Sequence, residues 1–271
     1  MLYITLRIVT YRWLKLMQRD SQIQTEAING VALVRINTDH PRNELTLDAV
    51  KDLGRLFDAW HKDPPRAAVL TGRDDCFSAG LAIEDVVNAS RKEFGDFVSL
   101  EYRCIRQLEE MPFVTVVALS GLCLGNAAEL ALACDFRVAT SDIRLGLPEV
   151  AMGFMAPAQR LVKFMSIQQA RRILLQSHLL HAHKALELDL IDEIVRPEEL
   201  VSTALQRATT ATELPPDAVR LTKENLRREA LRGRNHDQEE TAAAIETFSS
   251  PECTNRMALY LKRQGERDPS V

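Results

Sequence analysis

Two short segments constrain the fold of this chain more than any others. Ala67-Ala68-Val69-Leu70-Thr71-Gly72 and Pro112-Phe113-Val114-Thr115-Val116-Val117-Ala118-Leu119-Ser120 are apolar almost continuously, not at every second position. A strand with one face in water alternates, whereas a continuous apolar run marks a strand covered on both faces, as in parallel sheets. Parallel strands need crossovers, and the intervening text reads as helix. Thr46 stands where it can cap a helix whose Val50, Leu53, Leu56, Phe57 and Trp60 fall on one face before Pro64-Pro65 ends it. Residues 84–110 read as a helix with a charged outer face. Gly30 to Ile36 and Phe136 to Ala139 are short, β-branched and strand-like. From about Gln159 onward the strand signals fade and the text is mainly helical. The expected class is α/β with a helical C-terminal third.

A chain of 271 residues fits one large domain, or a domain with an appendage, and can bury a full core without disulfide or metal support. The expected division is a basic N-terminal extension over 1–20, a core over 21–195, and a helical segment over 196–271. The extension carries Arg7, Arg12, Lys15 and Arg19 with no acid up to Arg19, against a formal net charge of −4 for the whole chain. Arg7 interrupts its apolar stretch and no small-residue cleavage site follows, so it does not read as a signal peptide. The overall acidity argues against nucleic acid as the main partner. No run reaches the ~18–20 apolar residues of a membrane helix. Cys76, Cys104, Cys123, Cys134 and Cys253 are scattered, mostly in apolar stretches and without a C-x-x-C pair, as buried thiols of a cytoplasmic protein would be. His181 and His183 have no partner at metal-ligand spacing, and no metal site is expected.

Three segments carry chemistry. Phe77-Ser78-Ala79-Gly80-Leu81 follows a strand and a polar turn at Arg73-Asp74-Asp75; small residues and glycine let backbone approach a ligand with amides free. Alone, it also fits a plain tight turn. Ser120 to Asp135 runs from a strand through a glycine-flanked loop into a helix beginning near Asn126, whose first amides lack internal acceptors and carry the positive end of the helix dipole. Asn126 followed three residues later by Glu129 also fits a capping box. Glu129 sits among Ala, Leu and Cys, where an acid needs a reason to be buried. In Leu145-Gly146-Leu147-Pro148-Glu149-Val150, Pro148 stiffens the approach to a second acid bracketed by apolar residues; a solvated loop glutamate is the alternative.

In order and spacing these segments resemble the crotonase (enoyl-CoA hydratase/isomerase) superfamily, from about Ile23 to Arg263. Asn43-Glu44-Leu45-Thr46 and Arg73 to Phe77 fit the same pattern. The resemblance implies a crotonase-like spiral of ββα units with a C-terminal helical segment that assembles a homotrimer or a dimer of trimers. It implies an acyl-thioester substrate on coenzyme A, or on an acyl-carrier protein, with no permanently bound cofactor. It places the backbone amides of Leu81 and Asn126 as an oxyanion hole, and Glu129 and Glu149 as catalytic glutamates. Arg42, Glu44, Ala79, Lys262 and Arg263 are the expected coenzyme A contacts. The helical region after Gln159, with Leu161, Val162, Phe164, Ile173 and Leu174, is the expected assembly surface.

The sequence departs from the family pattern in three places. Asn126 stands where glycine is usual, which keeps the amide but brings a side chain into the loop. Ala82 replaces a frequent aspartate. The stretch from Met152 to Arg160 is shorter than the family's glycine-rich segment, which helps to place the attacking water. The leading expectation is a hydro-lyase working on 2-enoyl or 3-hydroxyacyl thioesters. The alternatives are a double-bond isomerase using mainly Glu149 and a non-catalytic binding subunit of the same fold.

Overall fold

The computed structural model describes Trp13 and residues 21–231 and 237–265. Of the basic extension over 1–20, Trp13 alone is among them; the remainder lies outside the described residues. Trp13 is fully buried, edge-on to Trp60 with ring centroids 6.1 Å apart.

In chain order the elements are β1 (Ile23–Ile28), β2 (Val31–Ile36), α1 (Leu47–Trp60), β3 (Ala67–Thr71), α2 (Ile83–Val86), α3 (Arg91–Glu109), β4 (Val114–Leu119), β5 (Leu122–Leu124), α4 (Asn126–Ala133), β6 (Phe136–Thr140), β7 (Arg144–Gly146), α5 (Ile167–Leu175), β8 (Leu180–His181), α6 (Ala182–Glu187), β9 (Glu193–Val195), α7 (Leu200–Ala211), α8 (Pro216–Leu231), α9 (Asp237–Phe248) and α10 (Pro251–Gly265). Six strands form one sheet in the order β1-β2-β3-β4-β6-β9, parallel except for the antiparallel β1–β2 hairpin. Three short strands form a second sheet in the order β5-β7-β8, parallel between β5 and β7 and antiparallel between β7 and β8.

The continuous apolar runs are strands covered on both faces. In β3, Ala67 and Val69 pack in one core with α7 residues Leu200, Ala204 and Ala208, while Ala68 and Leu70 point into the main core with α1 and α3. Successive side chains alternate across a strand, so a doubly covered strand must be apolar at every position. Thr46 caps α1, its side chain accepting from the Ala49 amide at 3.0 Å. The five cysteines are free and buried. No helix among the described residues is long and apolar enough to cross a membrane.

Two expectations need correction. Strand structure does not end at Gln159: β8 and β9 follow, and β9 closes the edge of the main sheet beside β6. Both are too short to produce a periodic signal. The apolar residues assigned to an assembly surface are largely used within the chain: Leu161, Ile173 and Leu174 are buried, and Val162 is exposed. The C-terminal helices also fold back on the core. Gly95 of α3 leaves so little room that a Cβ there would meet Ile245 of α9 at 2.8 Å, and Phe248 stacks on Phe94 at 3.8 Å.

Candidate active site

The local geometry begins with two loops that pair with each other. The Ser78 amide donates to the Leu122 carbonyl at 2.8 Å, and the Leu124 amide donates to the Ser78 carbonyl at 3.1 Å. This single parallel bridge stitches the Phe77–Leu81 loop to β5. Gly80 has φ +90°, and a Cβ there would lie 2.5 Å from the Leu124 carbonyl oxygen, so only glycine permits this approach. Leu81 itself is held by a bridge to Leu45 that leaves its own amide unused: Leu45 donates to the Gly80 carbonyl and Ala82 donates to the Leu45 carbonyl. Among the described residues, the amides of Leu81 and Asn126 donate to no acceptor. Two unused donors therefore lie on adjoining loops, one of them at the N-terminus of α4, where the backbone dipole adds to its positive character.

The capping-box alternative for Asn126 and Glu129 does not hold. The N-cap of α4 is Gly125, at φ 57° and ψ −130°, and no side chain caps the helix. Asn126 is the first helical residue; its side-chain Oδ1 lies 3.1 Å from where a Gly80 Cβ would stand. Glu129, fully buried, instead accepts from Arg160 Nη1 at 2.7 Å. Arg160 is 2% exposed and also reaches Glu109 at 3.4 Å, and Glu109 in turn holds Lys163. Burial pushes the Glu129 carboxyl above its ordinary range, and the Arg160 cation opposes that rise.

Glu149 opens a single 3-10 turn, Glu149–Met152, after Pro148. Its Oε1 lies 3.3 Å from where a Gly125 Cβ would stand, and its Oε2 is buried without a partner. With no cation to offset burial, and with Glu129 and Glu101 adding repulsion, its pKa is pushed up to about 8. Glu129 Oε1 is likewise buried and unpartnered.

Leu81, Asn126 and the two glutamates line one cavity of about 290 Å³, whereas Arg160 stands behind Glu129 and does not line it. Its walls include Leu81, Gly125, Asn126, Glu129 and Glu149, with Phe97 and Phe154 on the apolar side. At one end stands Arg42, bound through Nε to Glu44 at 3.1 Å and through Nη2 to the Tyr260 hydroxyl of α10, whose ring lies 5.4 Å away. Of the expected coenzyme A contacts, Arg42 and Ala79 line the cavity. Glu44 is buried and serves to hold Arg42. Lys262 and Arg263 are exposed in the last turn of α10, just past Tyr260, and do not line it.

Sequence reasoning missed two residues. Arg160 gave no signal, because its partner is 31 positions away in the chain. Glu101 did leave one. It interrupts the apolar stripe Phe94, Phe97, Val98, Tyr102 and Ile105 on α3, and it faces the cavity as a third buried carboxyl, pushed up to about 8 mainly by burial.

Known proteins resemble this chain in sequence and in fold. The profile of the enoyl-CoA hydratase/isomerase family matches residues 26–264. The chain is 31% identical over 228 residues to a short-chain-enoyl-CoA hydratase of Clostridium acetobutylicum, covering 82% of this chain and 85% of that one. It is 31% identical over 198 residues to a crotonyl-CoA hydratase of Syntrophomonas wolfei, covering 71% and 76%. Among solved structures, an enoyl-CoA hydratase/isomerase from Xanthobacter autotrophicus Py2 superimposes with a TM-score of 0.82 at 26% identity, covering 91% of this chain and 95% of that one. A human mitochondrial delta3-delta2-enoyl-CoA isomerase shares the fold, with a TM-score of 0.83 at 24% identity over 91% and 99% of the two chains. The ordered motifs, the crotonase fold and the match along most of the sequence agree: the chain belongs to the enoyl-CoA hydratase/isomerase family and is an enzyme of hydratase/isomerase type.

Proposed function

We propose that the enzyme is a hydro-lyase that adds water to 2-enoyl thioesters of coenzyme A, or removes it from the 3-hydroxyacyl forms. The observation that carries this reading is the pair Glu129 and Glu149, each with an unpartnered buried oxygen at one cavity beside two unused backbone donors. The thioester oxygen accepts hydrogen bonds from the Leu81 and Asn126 amides, which stabilise the negative charge that gathers there as the enolate forms. Acid and base roles follow from the unequal surroundings of the two carboxyls. Arg160 favours the ionised form of Glu129, which suits it to take a proton from water. Glu149 has no cation and holds its proton at neutral pH, which suits it to deliver that proton to C2. In dehydration the same two groups exchange tasks.

Mass spectrometry of products from a panel of enoyl- and 3-hydroxyacyl-CoAs in isotopically labelled water tests this. Label at C3 supports a hydro-lyase. A shifted double bond with no label overturns it in favour of isomerisation, which needs one base. A specific observation keeps that second reading in view: Arg160 already holds one oxygen of Glu129, leaving Glu149 as the carboxyl with no opposing cation.

We also propose a homotrimer or a dimer of trimers. Val162, Ile167 and Leu175, on or beside α5, are 42%, 63% and 68% exposed, and they support an assembly surface there. Light scattering that reports a monomer at micromolar concentration overturns it.

A further inference from the structure

The hydration chemistry leaves a polar pair in the cavity without a task. Glu101 is 8% exposed, sits on the cavity face of α3, and its Oε1 has no hydrogen-bond partner. The Asn126 side-chain amide lies next to it and restrains the rise of its pKa, yet stops short of a hydrogen bond of normal geometry. Both Nδ2 and Oδ1 of Asn126 are buried and unpartnered. On the proposed reading the backbone amide of Asn126 serves the thioester oxygen, which leaves its side chain free for another contact. Around them the wall is apolar, with Phe97, Val98 and Tyr102 on the same helix face. Unpartnered polar groups at a buried site are costly unless a ligand or water completes them.

We infer that Glu101 and the Asn126 side chain form a specificity site for an acyl group that carries a hydroxyl beyond the reacting carbons. A carboxyl in its neutral form donates and accepts, and so does a primary amide; a hydroxyl matches both at once. A plain alkyl chain leaves them unmet. A substrate carboxylate fits poorly, because it would enter a cavity that already holds three carboxyl groups. The one cation lining that cavity among the described residues, Arg42, is tied to Glu44 and Tyr260. A site built to bond a hydroxyl discriminates against the analogue that lacks it more strongly than an apolar wall discriminates by size.

The inference rests on the thioester reading but not on turnover, so the test measures binding of saturated, non-reacting ligands. Calorimetric titration compares pentanoyl-CoA with 4-hydroxypentanoyl- and 5-hydroxypentanoyl-CoA. A hydroxylated ester is expected to bind about tenfold tighter, the effect of one buried hydrogen bond left unmade. Glu101→Leu is expected to erase that preference while keeping affinity for the alkyl ester. Glu101→Gln, which retains donor and acceptor and the same shape, is expected to keep most of it and guards against misfolding of the leucine variant. Equal binding of the three esters by the native enzyme overturns the inference alone. So does a preference that survives Glu101→Leu, or stronger binding of glutaryl-CoA or of a chain ending in a quaternary ammonium. No binding of any ester overturns the thioester reading with it.

Discussion

The cavity has two walls built on different principles. One is backbone: the Phe77–Leu81 loop, β5 and the start of α4 are laced together by main-chain hydrogen bonds, with Gly80 and Gly125 at positive φ where the loops meet. The other is side chain: α3, α9 and the segment after the Glu149–Met152 turn meet through Phe94, Phe248 and Phe154, and Glu101 and Glu149 enter from this side, whereas Glu129 enters from α4. On the proposed reading, the first wall would stabilise charge on any thioester carbonyl, because amides do not depend on the acyl group. The side chains would then choose which acyl group fits and which protons move. Reaction type and substrate would follow mainly from the side chains.

The largest effect that bears on this contrast comes from the acids. Glu149→Gln and Glu129→Gln are each expected to lower kcat by ~10²–10⁴, the usual worth of general acid–base help, while leaving the affinity of a non-reacting acyl-CoA nearly unchanged. If only Glu149→Gln loses activity, the isomerase reading gains. In the hydration direction the native rate is expected to fall as pH rises through about 8, where Glu149 loses the proton it must deliver. A flat profile from pH 6 to 10, in steady-state assays, would break the assignment of Glu149 as the acid.

Arg160→Met comes next. It leaves Glu129 buried without its cation, and breaking a buried pair on one side typically costs ~3–5 kcal/mol. Denaturant unfolding is expected to show a loss of that order, and the acidic limb of the rate profile to move to higher pH as Glu129 becomes harder to ionise. Gly80→Ala probes the backbone wall. The added methyl meets the Leu124 carbonyl at 2.5 Å in a left-handed conformation, and strain of ~1–3 kcal/mol is expected. Because the Leu81 amide moves with that loop, kcat is expected to fall more than ligand affinity does.

The smaller effects separate the side-chain wall from the solvent. Glu101 has a folded pKa of about 8 against 4.5 ordinarily, so between these values the unfolded chain releases a proton that the folded chain retains. Stability from this group is therefore highest at low pH and falls as pH rises toward about 8. Glu101→Gln is expected to raise Tm at pH 9 and to change it little at pH 4.5, with about 2–4 °C for each kcal/mol recovered in a chain of this size. Equal shifts at both values would show that the carboxyl is not held neutral. Arg42→Ala is expected to weaken acyl-CoA binding by about tenfold or less and to reduce its salt dependence. Unchanged affinity and salt slope in titrations would leave Arg42 a structural partner of Glu44 and Tyr260.

Much of this molecule was legible in the sequence, and the reason differs from residue to residue. Continuous apolar runs fix β3 and β4 as doubly covered strands, because alternation across a strand is a local property. The strand read from Gly30 begins at Val31: Asn29 and Gly30, both at positive φ, form the β1–β2 turn, and the polar face of β1 concealed the strand before it. Glu129 and Glu149 stood out because acids among apolar neighbours are rare and their loops have distinctive glycine and proline. Glu101 lay in a helix dense with charge, and its place on the apolar stripe could be read only by helical phase. Whether that stripe met core or cavity depended on how α3 docked against α4 and α9. The Arg160–Glu129 pair, the two unused amides on adjoining loops and the return of α9 and α10 over the cavity were likewise decided by tertiary structure alone. Local sequence sets conformation and burial, but an ion pair, a shared cavity and the pKa of a carboxyl inside it depend on distances between segments that only the folded chain brings together.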